Sequence, residues 1–345
     1  MKNFRLRRFF LHAGIVLVGL LTSCSFLVYY ISPADFFLLQ WLGLTLPFLL
    51  IFHIILFCVG LFLRKWYAIL AVVVLLANSH YFSAKLRWNH PDGIKDAPGL
   101  RLMTYNVRQL KMAYNLPSAE FISQFIREQS VDIICLQEIP ETYKETDLKQ
   151  LFPTMSYCVM TDLKEGNLQL AILSKYPLDN QKTLSFDERP NSGLVANMSI
   201  GQDTIQIFNC HLQTTGWNLL DNDRRKSTTF DAFHIISDNM IYRSRQAEKI
   251  QQEIKKSTYP VIVCGDFNAP VVSYTYHTVK GNLQDAFAEA GRGYSYSYIY
   301  FRKLFRIDHV FYDNKKLQAT RYNIGKIDYS DHAPILVDFN FLKQM

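Results

Sequence analysis

Apolar positions follow two regimes along the chain. From Phe9 to about Ile31 they are nearly continuous, long enough for a helix to cross a bilayer. Ser32-Pro33-Ala34-Asp35 interrupts them, because Pro33 cannot continue a regular helix. The same tetrapeptide suits a fresh start, with Ser32 as N-cap, Pro33 in the first turn and Asp35 closing a capping box. Phe36 to Phe62 forms a second run, broken chiefly by Gln40 and His53 and closed by Arg64-Lys65. Trp66 to roughly Phe82 is a third, weaker run, its apolar core shortened by Asn78, Ser79 and His80. Residues 1–85 are therefore expected to form an anchor of two to three transmembrane helices. Residues 86–99 follow as a linker, rich in turn formers from Pro91 to Gly99, and residues 100–345 as a soluble domain.

Beyond the linker the pattern shortens to strand length. Leu100 to Asn106, Val131 to Glu138, Leu168 to Leu173, Leu194 to Ile200, Thr204 to Asn209 with His211 just beyond, Val261 to Cys264 with a turn opening at Gly265, Arg306 to Tyr312 and the last run from Ala333 to Asp338 are short apolar or alternating stretches, most of them rich in β-branched residues. Helical spacing is visible over Pro117 to Gln129 and Ser244 to Lys255, with a short turn expected near Gly166. Residues 213–242 carry many polar groups and no strand pattern, and an irregular excursion is expected there.

Charge refines this division. The chain of 345 residues has a net charge of +7, but seven Lys/Arg and a single acid, Asp35, fall within residues 1–85, leaving 30 basic and 29 acidic residues for the rest. The soluble part is close to neutral and presents no electrostatic case for binding long DNA. Lys2, Arg5, Arg7 and Arg8 precede the first span and Arg64-Lys65 follow the second, which places both on the cytoplasmic side. Three spans would export everything after residue 85; two would leave it in the cytoplasm, and Lys85 and Arg87 weigh mildly that way. Export to the periplasmic side of a bacterial inner membrane is the expectation. Leu21-Thr22-Ser23-Cys24 looks like a lipoprotein cleavage box, yet the chain after it stays apolar, which favours a membrane helix. No CxxC or Cys/His metal spacing occurs among the six cysteines, and those in strand-like runs suit buried thiols.

The chemistry gathers where the strands end. Asn106, Glu138, His211, Asp266, Asn268, Asp308, Asp331 and His332 all lie at or beside strand ends. Each alone has a plain structural reading: Asp266 and Asn268, for example, suit a turn that caps backbone amides. Together they supply the parts of a metal-assisted phosphoryl hydrolase, with carboxylate and amide oxygens suited to Mg2+ or Mn2+.

Six segments occur in an order that resembles the endonuclease/exonuclease/phosphatase superfamily: Thr104-Tyr-Asn106, Asp132 to Glu138, Asn209-Cys-His-Leu212, Gly265-Asp-Phe-Asn268, Arg306-Ile-Asp308 and Ser330-Asp-His332. The resemblance covers about residues 100–342. It implies an α+β fold, a four-layer sandwich of two mixed β-sheets flanked by helices, here preceded by the N-terminal transmembrane region. It further implies Glu138 as the main metal ligand, with Asn106 and Asp331 near the same ion. Asp266 would orient or deprotonate the attacking water, and Asn268 would hold a phosphate oxygen. His332, oriented by Asp308, would contact the scissile phosphate, while His211 would stabilise developing charge or assist the leaving group. Ala269 and His309 depart from the family pattern and are expected to bear on substrate fit.

The implied activity is metal-dependent hydrolysis of a phosphodiester or phosphomonoester, on a nucleic acid, lipid head group or inositol phosphate; the partners are that substrate and the lipid bilayer, with no protein partner expected. Tyr294 to Tyr300 alternates Tyr with smaller residues, which suits either an aromatic stacking loop or a strand with one wet face, the latter preferred. Arg302, Lys303 and Arg306 nearby offer phosphate contacts. A non-catalytic scaffold on the same fold, or a transporter-like role for the helices, explains less of the strand-end set.

Overall fold

A computed structural model describes residues 2–88, 99–111, 117–162, 167–186, 190–216 and 229–342. The first apolar run is α1 (Lys2–Ser23), continued by a 3-10 turn over Cys24–Tyr29. The second is α2 (Pro33–Phe62), with Pro33 in its first turn and the Ser32 hydroxyl accepting from Ala34 N–H. Both are long and apolar enough to cross a membrane. The third run is broken into α3 (Tyr67–Ala77) and α4 (Ser79–Lys85), bent by 54°. Asn78 sits at the break, its amide donating to Thr22 O and Val74 O at 3.1 and 2.9 Å. A side-chain amide that bonds backbone carbonyls competes with regular helix, which explains the bend.

The chain then enters two six-stranded sheets and one two-stranded sheet. In order follow β1 (Leu86–Trp88), β2 (Leu100–Asn106), α5 (Ala119–Glu128), β3 (Ile133–Ile139), α6 (Glu145–Leu151), β4 (Tyr157–Met160), β5 (Gln169–Ser174), β6 (Leu178–Ser185), β7 (Ser192–Ile200) and β8 (Asp203–His211). After them come α7 (Thr229–Lys256), β9 (Val261–Asp266), α8 (Tyr274–Lys280), β10 (Gln284–Asp285), α9 (Ala286–Ala290), β11 (Arg292–Tyr294), β12 (Asp308–Tyr312), β13 (Leu317–Ile324) and β14 (Ile335–Phe341). One six-stranded sheet has the order β13-β14-β2-β3-β5-β4, the other β10-β12-β9-β8-β7-β6.

Each six-stranded sheet contains one parallel pair, β2–β3 and β8–β9, crossed over by α5 and α7. A parallel crossover brings successive strands to the same end, so Asn106, Glu138, His211 and Asp266 finish together. The strands read as continuous apolar runs because both faces are covered. In β3, Ile133 and Cys135 meet Leu194 and Ile262 between the sheets, while Ile134 and Leu136 face Ile122 and Ile126 of α5. On the other side α7 and α8 cover β8 and β9 through Ala247, Ile250 and Val279. The result is the expected four layers. All six cysteines are free.

Several local expectations change. Residues 86–88 do not belong to a linker: they pair antiparallel with β11. Residues 89–98, which hold most of the expected linker, and the turn near Gly166 lie outside the described residues. The irregular excursion contains half of a 28-residue helix, α7. Its first half carries polar residues on one face and Phe233, Ile236 and Met240 toward α2, so the mixed composition hid an amphipathic helix. Arg306 is fully buried and bonded to Asp285 at 2.7 and 3.0 Å, which removes it from the phosphate contacts. His309 is also internal, with Nε2 2.9 Å from Ala269 O and its ring stacked on Phe267. Burial and the nearby Arg306 charge push its proton affinity down to about 3, so it is a neutral packing residue. Ala269 is likewise buried.

The N-terminal helices do not hang free of the sandwich. Gln40 Oε1 accepts from Tyr274 N–H, Trp41 stacks on Phe233 at 4.9 Å, and Trp41 Nε1 donates to Ser237. A Cβ at Gly43 would lie 2.5 Å from Val272 O, so only glycine permits this approach. Arg306 Nη2 donates to Ala84 O, and Lys85 Nζ to Ser295 O.

Candidate active site

Gly265 sets the geometry of the strand that ends in Asp266. Its φ is +128°, and a Cβ there would meet Cys210 O at 2.0 Å. Without a side chain, β9 approaches β8 closely enough to align His211 with Asp266 in parallel register. From the opposite direction β12 pairs Asp308 with Asp266. The second sheet thus brings three ionisable groups together at one strand end.

The first sheet adds Asn106 and Glu138. A bulge between Leu136 and Ile139 holds Glu138 at a φ of +58°, which turns its carboxylate out of the regular ladder toward the site. Behind it, Gln137 Nε2 donates to Asn209 Oδ1 at 2.7 Å, and Asn209 Nδ2 donates to Leu136 O and Ala171 O. This buried network ties the two sheets at the level of the site, where each polar group left unpaired would be costly.

Asp266 Oδ2 is the point where the groups converge. Asn106 Nδ2 and Asn268 Nδ2 donate to it at 3.0 and 3.1 Å, and Nε2 of His211 and of His332 each lie 3.7 Å away. Asp266 Oδ1 accepts from Asn268 N–H at 2.8 Å. The turn-capping role of Asp266 and its place at the centre of the cluster are therefore both present. Burial pushes its carboxyl up, and the neighbouring Asp308 charge adds to this while His332 and His211 oppose it. His332 Nδ1 is 2.8 Å from Asp308 Oδ2. Burial disfavours a charged imidazole, but the carboxylates of Asp308 and Asp266 outweigh it and hold His332 well above the ordinary range.

Not every expected group meets at this point. Asn268 lies at a φ of +49°, and its amide N–H groups are engaged by Leu212 O and Asp266. It is thus placed to orient Asp266, and a phosphate oxygen would have to displace one of these bonds. Asp331 stands at the rim, 3.9 Å from Arg108 Nε and apart from the two groups of clustered donors.

Those donor groups are Glu138 with His211 and Asp266, and Asp266 with Asp308 and His332, their ligand atoms within 4.8 Å of one another. Among the described residues neither Glu138 nor Asp266 has a Lys or Arg within ion-pair distance. Two carboxylates in direct contact with amides and imidazoles alone fit a hard divalent cation.

Tyr298 and Arg243 were not singled out by the pattern as site residues. Tyr298 forms a bridge with His332 and its ring lies 5.3 Å from the imidazole. The strand expected from the alternation ends at Tyr294, and beyond it only Tyr298 makes a bridge; Ser295 and Ser297 are buried, Tyr294 and Tyr300 exposed, and Tyr296 and Tyr298 half-buried. Arg243 is buried and donates from Nη1 to Gln213 O and Thr215 Oγ1, while Thr215 Oγ1 donates to Asn268 O. Burial draws its guanidinium down to about 10 despite Asp266.

Comparison with known proteins bears on the family and the fold. Residues 103–332 match the model of the Endonuclease/Exonuclease/phosphatase family, and residues 7–84 match that of a domain of unknown function (DUF8431). Comparison with curated proteins found no match. An endonuclease/exonuclease/phosphatase from Bacteroides vulgatus superposes with a TM-score of 0.54 at 19% identity, covering 70% of this chain and 99% of that one. The mannosyl-6-phosphatase of Bacteroides thetaiotaomicron gives 0.53 at 18%, covering 70% and 100%. D. rerio TDP2 complexed with a single-strand DNA product gives 0.53 at 15%, covering 70% and 98%. At these identities the neighbours establish the fold, whereas the family match spans two thirds of the chain and the site. The chain belongs to the endonuclease/exonuclease/phosphatase family, whose members are hydrolases of phosphoester bonds.

Proposed function

We propose that the protein is a membrane-anchored, divalent-metal-dependent phosphoesterase that works by in-line attack of water. The observation that carries this reading is the convergence of two amides and two imidazoles on Asp266 Oδ2 beside Glu138. Glu138 would hold the cation, with Asn106 and Asp331 on the same side. A bound Mg2+ or Mn2+ would neutralise charge on the phosphoryl oxygens and acidify nearby water.

The remaining steps belong to the chain's own groups. Asp266, fixed by Asn106 and Asn268, aligns the water and takes its proton as the water oxygen bonds to phosphorus. His332 donates from Nε2 to a phosphoryl oxygen, its Nδ1–H held by Asp308. The bond from phosphorus to the leaving oxygen breaks, the electron pair departs with that oxygen, and His211 donates a proton to it or a hydrogen bond that stabilises its negative charge. An aligned base of this kind is worth roughly 10²–10⁴-fold. Single-stranded DNA and a mannosyl phosphate, named for two structural neighbours, are water-soluble candidates beside lipid head groups.

For location we propose a multi-pass anchor in a bacterial inner membrane. His12 meets Trp66 and Thr22 meets His53, so α1 and α2 run antiparallel and Arg5, Arg7, Arg8 and Arg64-Lys65 fall at one end, read as cytoplasmic. The sandwich joins the opposite end through α4, which supports an extracytoplasmic catalytic domain. Alkaline phosphatase fused after residue 90 should then be active; silence there would reverse the orientation.

The catalytic reading is tested with the full chain in detergent and bis-p-nitrophenyl phosphate. Turnover should require Mg2+ or Mn2+ and stop with EDTA. Asp266→Ala and His332→Ala should each remove most of it with circular dichroism unchanged, and near-wild-type rates in either would sink the assignment.

A further inference from the structure

The helices dock on one particular end of the sandwich. Counting back about 20 residues from Arg64-Lys65, the length that spans the hydrocarbon layer, reaches the neighbourhood of Thr45 in α2. At and just beyond that level α2 meets the catalytic domain: Gly43 against Val272, Leu44 in a cluster with Phe305 and Ile307. Val272 lies four residues after Asn268, and Ile307 immediately precedes Asp308. The contacts are therefore with the end of the sheets that carries the site. The opposite end, with the Gly201 turn and Pro260, is a strand length further away, on the order of 17–20 Å.

Tyr298 connects the two regions directly. Its ring rests against His332, and the same side chain packs into the cluster that contains Leu44, Trp41 and Leu304. Between Tyr298 and Leu304 the chain turns outward and exposes Tyr300, Arg302 and Lys303. Beside Trp41, the start of α7 leaves Phe230 70% and Ile235 38% exposed. Exposed aromatics at the level where a span leaves the bilayer, with cations next to them, suit the head-group layer.

From this placement, and resting on the phosphoesterase reading above, we propose that the substrate is a phosphoester carried on a lipid of the same bilayer. It enters the site laterally along the edge formed by α2, Tyr298 and the Arg302–Lys303 turn. Arg302 and Lys303 hold the anionic head group while its acyl chains stay in the membrane. The reaction remains addition of water across the ester: the water oxygen bonds to phosphorus, and the alcohol oxygen leaves with the bonding pair and a proton.

The test uses the full chain in phosphatidylcholine proteoliposomes. Phosphatidic acid, phosphatidylglycerol or a phosphatidylinositol phosphate is added over a range of mole fractions, and released phosphate or head group is measured. Bis-p-nitrophenyl phosphate and the deacylated, water-soluble form of each lipid are assayed in parallel. At fixed bulk concentration, turnover of at least one lipid should rise with its mole fraction and exceed that of its deacylated form. The double substitution Arg302→Glu, Lys303→Glu should lower lipid turnover about tenfold or more relative to bis-p-nitrophenyl phosphate turnover.

Hydrolysis of bis-p-nitrophenyl phosphate with none of these lipids consumed overturns the proposal. So does equal turnover of lipid and deacylated ester, or an unchanged ratio in the double variant. A protein inert toward bis-p-nitrophenyl phosphate as well would instead refute the phosphoesterase reading on which it rests.

Discussion

Asp308 acts through another residue. It accepts from His332 Nδ1 at 2.8 Å and is paired in register with Asp266, so it sets both the tautomer and the charge of the imidazole. Replacing Asp308 with Asn keeps the size and removes the charge that holds His332 high. Turnover of bis-p-nitrophenyl phosphate should fall by about 10² or more, with the melting temperature nearly unchanged. A rate within a factor of a few of wild type would mean His332 works without this support. The residue types at the strand ends were legible because the chemistry restricts them to carboxylate, amide and imidazole. Tyr298 and Arg243 were not, since their roles arise from contacts between distant segments: Tyr298 with His332, and Arg243 with Thr215. The burial of Arg306 and His309 was hidden for the same reason. Nothing local distinguishes a buried Arg bonded to Asp285 from a surface phosphate ligand.

At the level of elements, the apolar strands that form the centres of both sheets could be found within a residue or two. β2 and β9 begin where their patterns begin, because a strand covered on both faces must be apolar throughout. The outer strand β6 was missed for the converse reason. β6 reads Leu-Asp-Asn-Gln-Lys-Thr-Leu-Ser and is largely exposed, so its sequence carries little strand signal. The seam between α2 and the sandwich was also invisible, since a membrane helix and a docking helix share the same apolar composition. Gly43 tests that seam. Gly43→Ala places a methyl group 2.5 Å from Val272 O, where backbone on both sides has to move. Overpacking of this kind costs about 1–3 kcal/mol, and the variant in detergent should melt several degrees lower. An unchanged melting curve would show that α2 is not held against Val272 in solution.

Across the whole molecule, one buried ion pair joins the N-terminal helices to the sandwich. Arg306 bonds Asp285 through both terminal nitrogens and reaches Ala84 O at the end of α4. Asp285 also accepts from Tyr276 Oη at 2.6 Å and from Phe287 N–H at 2.8 Å, so every side of the carboxylate is engaged. Burial alone would raise its proton affinity; the Arg306 charge and these bonds more than offset that and hold it at about 2, against an ordinary 3.8. The folded value is thus depressed, so the associated stability is fully present above pH 4 and is lost as pH falls toward 2. The difference of nearly two pH units corresponds to about 2–3 kcal/mol. Asp285→Asn removes that dependence and leaves a buried guanidinium without its counter-charge, a loss of about 3–5 kcal/mol at neutral pH. Urea midpoints of the full chain in detergent, measured from pH 7 to pH 2, should therefore fall steeply below pH 4 for the wild type. The variant should start lower and follow a shallower slope over that window, and parallel curves would show that Asp285 is not the titrating group.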